Sequence, residues 1–387
     1  MKSPPLALYL HFPWCVRKCP YCDFNSHTLH GELPQQAYLD ALLSDLEQQR
    51  AQLEARPIVS VFLGGGTPSL FSPDALGQFF NSMRQRLTLA PDAEITLEAN
   101  PGTIERGRFA DYRAAGINRV SLGAQSFAPQ MLERLGRIHS VADTRAAVDE
   151  LRAAGLDNFN LDLMYALPGQ DLAGALDDLR ASIELAPAHL SHYQLTMEPG
   201  TVFGGRPPAG LPDDELSFQM QLRCQAELAA AGYLQYEVSA YARAGGRCVH
   251  NLNYWNYGDY LGVGAGAHGK ITQRGAISRT VREREPRRYL AQGFKDAPVT
   301  TLVPQQDLPY EFMVNALRLV DGFEESQFES RTGLAWSAVA TPMSALAARG
   351  LLELEQANRA NRWRPTELGF RFLNDLIAEF LPAPSVV

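Results

Sequence analysis

Cys15-Val16-Arg17-Lys18-Cys19-Pro20-Tyr21-Cys22 gathers three of the chain's five cysteines into one short stretch, spaced C-x3-C-x2-C. Thiolates this close on one loop repel each other unless a metal centre takes up their charge. Cysteine ligation suits zinc or an iron–sulfur cluster. A structural zinc site wants four protein ligands, commonly from paired knuckles, and Cys224 and Cys248 stand too far apart to make the second one. A zinc knuckle completed by His11 or His27, or buried thiols that merely pack, are the bland readings. Three cysteines on a [4Fe–4S] cluster leave one iron open to a ligand that takes part in chemistry.

Outward from this loop, the chain alternates apolar runs with helical periodicity. Residues 6–10 form a short apolar run that ends at the cysteines and reads as a buried strand. Leucines at helical spacing predict a helix over 35–55, followed by a strand over 58–63 that runs into Gly64-Gly65-Gly66-Thr67-Pro68. Ser72-Pro73 supplies an N-cap and a first-turn proline for a helix to about 87. Further strands are expected at 93–99, 119–123, 159–164 and 189–197, separated by helices. Six strand–helix units with apolar strands imply a parallel sheet buried on both faces. Right-handed crossovers curl such a sheet into a full or partial barrel with its site at the strands' C-terminal ends. The fold expected is α/β, a partial (β/α)6 barrel of the TIM type. Three units are expected: the barrel with its cysteine loop over 1–203, an aromatic- and glycine-rich extension over 204–304, and a C-terminal module over 305–387. In the last, helices followed by short strands at 351–355 and 363–365 and a final helix over 366–381 look like a winged helix.

The 387 residues are 45% hydrophobic and 20% charged, the balance of an ordinary soluble globular chain. Five cysteines, three of them clustered, suit a reducing cytoplasm rather than a disulfide framework. The N-terminus reads as no signal peptide and no apolar run is long enough for a membrane span; peripheral membrane contact and a homodimer stay open. A net charge of −8 argues against a nucleic-acid surface as the main business. From residue 307 onward, 11 acidic residues face 7 basic ones, and the expected recognition helix over 335–349 offers only Arg349 as a cation. Phosphate contact dominates DNA affinity, so this module is expected to cover the cleft or dock a protein rather than bind DNA.

Several residues at the strand ends invite chemistry. Glycines at 64–66 let backbone N–H groups approach a ligand, although a tight turn would look the same. Glu98 stands at a strand terminus, and Gln125 and Asp162 are polar residues set in apolar strand sequence. A buried carboxylate is costly without a partner, so Asp162 either pairs or binds something, and Arg137 could supply a counter-charge. Farther on, His250-Asn251-Leu252-Asn253-Tyr254-Trp255 offers a histidine and an aromatic wall that Tyr257 and Tyr260 extend. A neutral imidazole is a common axial haem donor, while an aromatic subdomain core would explain the same composition. The glycine-rich run 262–269, ending near His268, could line a ligand or form a tight turn.

C-x3-C-x2-C with Tyr21 before the last cysteine resembles the cluster loop of the radical S-adenosylmethionine superfamily. The resemblance implies a [4Fe–4S] cluster held by Cys15, Cys19 and Cys22, with its open iron chelating S-adenosylmethionine, which electron transfer cleaves to a 5′-deoxyadenosyl radical. It implies that Gly65, Gly66 and Thr67 contact the methionine part of that cofactor. Tyr9, Tyr21, Glu98, Gln125, Arg137 and Asp162 match cofactor-contacting positions of the subgroup typified by oxygen-independent coproporphyrinogen III oxidase, and the likeness extends into the winged-helix-like tail. Two departures then matter. Those oxidases have a fourth cysteine where this chain has Phe24, and they carry an N-terminal extension, whereas here the cysteine loop begins at residue 15. Both departures, with HNxxYW at 250–255, resemble the haem-chaperone branch. That implies haem as a third cofactor held at His250, Asn251, Tyr254 and Trp255, haem-requiring acceptor proteins as partners, and no assigned catalytic residue. The alternative is oxidative decarboxylation of coproporphyrinogen III.

Overall fold

The computed structural model describes residues 3–50, 53, 56–102, 108–357 and 360–382. The first apolar run is strand β1, Leu6–Phe12, and the leucine-spaced segment after the cysteine loop is helix α1, Gln35–Arg50. The remainder of the helix expected to residue 55 lies mostly outside the described residues. Strand β2, Ile58–Gly65, ends in the glycine run. Helix α2, Pro73–Arg84, begins where the Ser72 side chain accepts from the Ala75 N–H, the cap that the Ser-Pro pair dictates. The repeat continues with β3 (Leu89–Ala99), α3 (Phe109–Ala115), β4 (Arg119–Gln125), α4 (Pro129–Arg134), α5 (Val141–Ala153), β5 (Phe159–Tyr165), α6 (Leu172–Glu184) and β6 (His189–Gln194).

These six strands lie side by side in chain order and all parallel. Consecutive right-handed crossovers keep each new strand beside the last, which makes the partial (β/α)6 barrel that the apolar runs predict. The strands are not apolar on both faces, however. Their inward positions, two residues apart, carry Glu94, Thr96 and Glu98 on β3, Arg119 and Ser121 on β4, and Asn160 and Asp162 on β5. The barrel interior is therefore polar and the helices cover the apolar side.

The segment after the barrel joins the same sheet at both edges. Helix α7 (Asp214–Ala230) leads to β7 (Leu234–Glu237) and β8 (Ala240–Ala242), and β8 pairs antiparallel with β6. The chain then crosses to the other edge through helix α8, Val249–Trp255, and strand β9, Asp259–Val263, which pairs parallel with β1 from Leu6↔Asp259 to Leu10↔Val263. Strands β10 (His268–Gln273), β11 (Ala276–Val281) and β12 (Val299–Leu302) extend that edge antiparallel. The finished sheet has twelve strands in the order β12-β11-β10-β9-β1-β2-β3-β4-β5-β6-β8-β7.

The C-terminal module has its own core around Phe312, Phe323, Phe328 and Trp363. Helices α9 (Leu308–Ala316), α10 (Glu325–Thr332) and α11 (Ala340–Ala348) pack on a three-stranded sheet of β13 (Phe323–Glu324), β15 (Ala360–Pro365) and β14 (Leu352–Ala357). The final helix is two short ones, Glu367–Arg371 and Leu373–Ala378, broken at Phe372. Among the described residues the module contributes nothing to the cavity that the cysteine loop lines. It packs where the strands begin: Val320 donates its N–H to the Tyr236 carbonyl at 3.0 Å, and Gln327 donates to Asn256 at 2.9 Å.

Candidate functional site

Strand ends and loops enclose a cavity of about 420 Å3 that runs into the barrel. Cys15, Cys19 and Cys22 line its mouth together with Tyr21 and Phe24. Burial pushes the Cys15 and Cys22 thiols up, so ligand binding to a metal, not the protein's own field, must draw off their protons. Ser26 meets Cys22 Sγ at 3.6 Å, and the Arg137 guanidinium donates to Cys19 Sγ at 3.6 Å. Among the described residues the sulfurs are not already converged on one point. Their loop is otherwise tied by backbone bonds, Cys22 N–H to Cys19 O and Leu29 N–H to Cys15 O.

The second strand brings its glycines against this loop. Gly65 has φ +112°, and a Cβ there would lie 2.4 Å from the His11 ring, so only glycine fits. Its N–H donates to Glu98 Oε2 at 3.0 Å. Burial first, then the nearby charge of Asp162, pushes Glu98 up to about 8. An incoming cationic amino group would reverse that shift. Asp162 accepts from Asn160 Nδ2 at 2.8 Å and Ser121 Oγ at 3.3 Å, and burial raises it as well. Gln125 is held at φ +65° with Oε1 accepting from Tyr193 at 3.0 Å, an uncommon conformation of the kind that collects at functional sites. Arg137 bonds Gly123 O at 2.9 Å and the Asn100 side chain, yet its buried Nε has no partner among the described residues. Glu98, Gln125, Arg137, Asp162, Gly65 and Gly66 all line the one cavity; Thr67 lines a smaller one of about 100 Å3 that shares Cys19 and Arg137 with it. Three thiols at the mouth, polar groups down one wall and an unpartnered guanidinium N–H fit a cluster with a zwitterionic ligand. Tyr9 stands apart from the cavity, its hydroxyl on His11 Nδ1 at 3.1 Å and its ring against Phe62.

At the floor of the barrel stands helix α8, which carries HNxxYW. Glu94 holds the start of this helix, accepting from Val249 N–H (3.1 Å), His250 N–H (3.1 Å) and Cys248 Sγ (3.4 Å), with Arg119 at 3.8 Å on its other side. Asn251 lines the same cavity as the three cysteines. His250 is buried, its Nδ1 on Ser60 Oγ at 3.0 Å and its ring 4.9 Å from that of Phe62. Burial, with Arg119 adding to it, lowers its pKa to about 3, so the imidazole is neutral. Tyr254 and Trp255 lie at the far end of the helix, packed edge-on at 4.8 Å, with the Arg318 guanidinium 4.3 Å over the Trp255 ring. The six-residue motif is thus divided between the barrel floor and the C-terminal module. Sequence reading overlooked Ser60, Glu94, Arg119 and Asn160; the signal available for three of them was a polar residue two places before another in the same strand.

Residues 9–181 match the model of the radical SAM superfamily and residues 303–372 that of the HemN C-terminal domain. The chain is 48% identical to heme chaperone HemW of Escherichia coli, covering 98% of this chain and 99% of that protein. It is 46% identical to heme chaperone HemW of Haemophilus influenzae over the same shares, and 34% identical to the mouse mitochondrial radical S-adenosyl methionine domain-containing protein 1, covering 98% of this chain and 88% of that one. Its fold matches the structure of coproporphyrinogen III oxidase (HemN) from Escherichia coli with a TM-score of 0.82 at 22% identity, covering 98% and 90% of the two chains. With near-full-length identity of this order, the chain belongs to the HemW family of radical S-adenosylmethionine proteins.

Proposed function

We propose that the chain is a cytoplasmic haem chaperone that carries a [4Fe–4S] cluster on Cys15, Cys19 and Cys22, binds S-adenosylmethionine in the barrel cavity, and passes haem to haem-requiring proteins. The observation that carries this reading is likeness to heme chaperone HemW along the whole chain, 48% over 382 residues. Phe24 supports it locally: a side chain 56% exposed at the cavity mouth stands where the oxidases have a further cysteine. Bound together, the cluster and S-adenosylmethionine supply one-electron chemistry. The chain's own part is to hold them: thiols at the mouth, Arg137 beside Cys19, and Glu98 and Asp162 along the wall.

For haem, the neutral His250 imidazole offers a lone pair on Nε2 in the tautomer whose Nδ1–H donates to Ser60 Oγ. His250 is buried with its ring 4.9 Å from that of Phe62, a residue of the cavity wall, so ligation from the cavity requires this cover to move. Asn251 in the cavity wall gives the two halves of the site a shared boundary. No helix among the described residues is long and apolar enough to cross a membrane; peripheral membrane contact and a homodimer belong to the same reading, and sedimentation with and without lipid vesicles tests both.

The competing reading is the oxidase, which the shared fold favours and Phe24 opposes. An anaerobic assay with reductant, S-adenosylmethionine and coproporphyrinogen III, run beside haem transfer to an apo-haem protein, separates them. The proposal expects transfer without decarboxylation. Turnover of coproporphyrinogen without transfer would overturn it.

A further inference from the structure

Asn25 lies three residues beyond Cys22 and outside every motif considered so far. Its amide donates to two backbone carbonyls of the extension, Ala265 at 3.0 Å and Arg284 at 2.9 Å. Its backbone carbonyl, by contrast, meets His11 Nε2 at 2.8 Å. The receiving turn is shaped for this side chain. Gly266 stands at φ +79°, and a Cβ there would lie 2.2 Å from Asn25 Nδ2. The turn itself is fixed from behind, Ala265 N–H by the Tyr38 hydroxyl at 3.0 Å and Gly264 N–H by Asp45 at 3.2 Å, and Asp45 is buried against Arg282 at 2.6 Å. On the other side His11 fills the space beside Gly65, whose N–H is bonded to Glu98.

These contacts form one unbroken chain from the 264–266 turn through Asn25, His11 and Gly65 to Glu98. The turn also continues directly from β9, and β9 begins four residues after Trp255 ends helix α8. We propose that Asn25 is a positioning residue: seated in the 264–266 socket, it sets where the cysteine loop stands relative to the glycine run that faces S-adenosylmethionine. This gives the glycine-rich segment 262–269 a task other than lining a ligand. It also makes β9 a rigid link between the cysteine loop and the helix carrying HNxxYW. Groups that orient metal ligands from behind typically change affinity by about 10- to 100-fold when removed.

The inference rests on the family's cluster and S-adenosylmethionine, not on haem. The test uses the full chain, loaded with iron and sulfide under anaerobic conditions, as wild type, Asn25→Ala, Gly266→Ala and the double variant. Three quantities are measured: iron per chain, S-adenosylmethionine affinity by calorimetry, and the change S-adenosylmethionine causes in the spectrum of the reduced cluster. Asn25→Ala should keep its iron but bind S-adenosylmethionine about tenfold more weakly, with a diminished spectral change. The double variant should lose less than the two single losses combined, because the amide that a methyl at 266 would strike is gone. Where Gly266→Ala does not fold, Asn25→Asp replaces it, setting a carboxylate against two carbonyls; it should bind more weakly than Asn25→Ala. Wild-type affinity and spectrum in Asn25→Ala, additive losses, or equal affinities of Asn25→Ala and Asn25→Asp would each overturn the proposal. A wild-type chain that takes up neither iron nor S-adenosylmethionine would overturn the cofactor reading along with it.

Discussion

The mouth and the floor of the barrel cavity are built in opposite ways. At the mouth, chemistry sits on loops: three thiols within one turn of chain, glycines that expose backbone N–H groups, and side chains such as Phe24 that are open to solvent. At the floor it sits on strands: Ser60, Glu94 and Arg119 come from three different strands, are buried, and bond to one another or to helix α8, while Asn160 on a fourth is buried on Ser121, Asp162 and His189. Loops at strand ends can change ligands without disturbing the core. A floor of buried charges cannot, because each group depends on its partner. The difference teaches that groups at the mouth are free of the core's bonding, whereas the HNxxYW end is bonded into the fold through Ser60 and Glu94.

Removing a mouth residue should therefore abolish binding without unfolding the chain, and removing a floor residue should do the reverse. Cys19→Ala tests the first half most severely: the cluster's visible absorbance and bound iron should be lost, with the melting temperature of the metal-free chain unchanged. An intact cluster would mean that the thiols do not act together. Glu94→Ala tests the second half. It strips three donors at the start of α8 of their acceptor and removes the ion-pair partner of the buried Arg119, a loss of about 3 kcal/mol in urea unfolding of the metal-free chain. An unchanged midpoint would show that the floor is held by other contacts.

Asp162 lies between the two regions and sharpens the boundary. Asp162→Ala should weaken S-adenosylmethionine binding about tenfold, roughly 1.4 kcal/mol, while cluster absorbance stays; unchanged affinity would assign Asp162 to the floor. The smallest effect concerns pH. Glu98 is pushed from the ordinary 4.5 to about 8, so the folded chain keeps a proton that the unfolded chain releases. Stability of the metal-free chain then falls as pH rises from about 4.5 to about 8 and levels off above it. Glu98→Gln should flatten that slope in melting temperature against pH, and an unaltered slope would place its origin elsewhere.

The same contrast explains what was legible in the sequence. The cysteine spacing, the glycine run and the residues at strand ends are local patterns, and the apolar runs place them correctly at the C-terminal ends of six parallel strands. What the floor does is set by contacts between distant parts of the chain. Ser60 meets His250 across 190 positions, and β9 finds its place only by pairing Asp259 with Leu6. Period-two polar residues in β3, β4 and β5 carried the information that the barrel interior is polar, but strands rich in Leu and Val mask it. The C-terminal module is expected from sequence to cover the cleft or dock a protein; it packs behind helix α8 and not over the cleft, an arrangement held by Arg318, Val320 and Gln327 that no local motif announces.

The central claim is that a barrel with a cofactor mouth and a closed HNxxYW floor is a haem carrier. An anaerobic haem titration of the cluster-loaded chain, followed at the Soret band beside His250→Ala, tests it most directly. Saturable binding of one haem per chain, weakened in the variant, is the predicted result. No saturable binding by either protein, with coproporphyrinogen III consumed in its place, would contradict it.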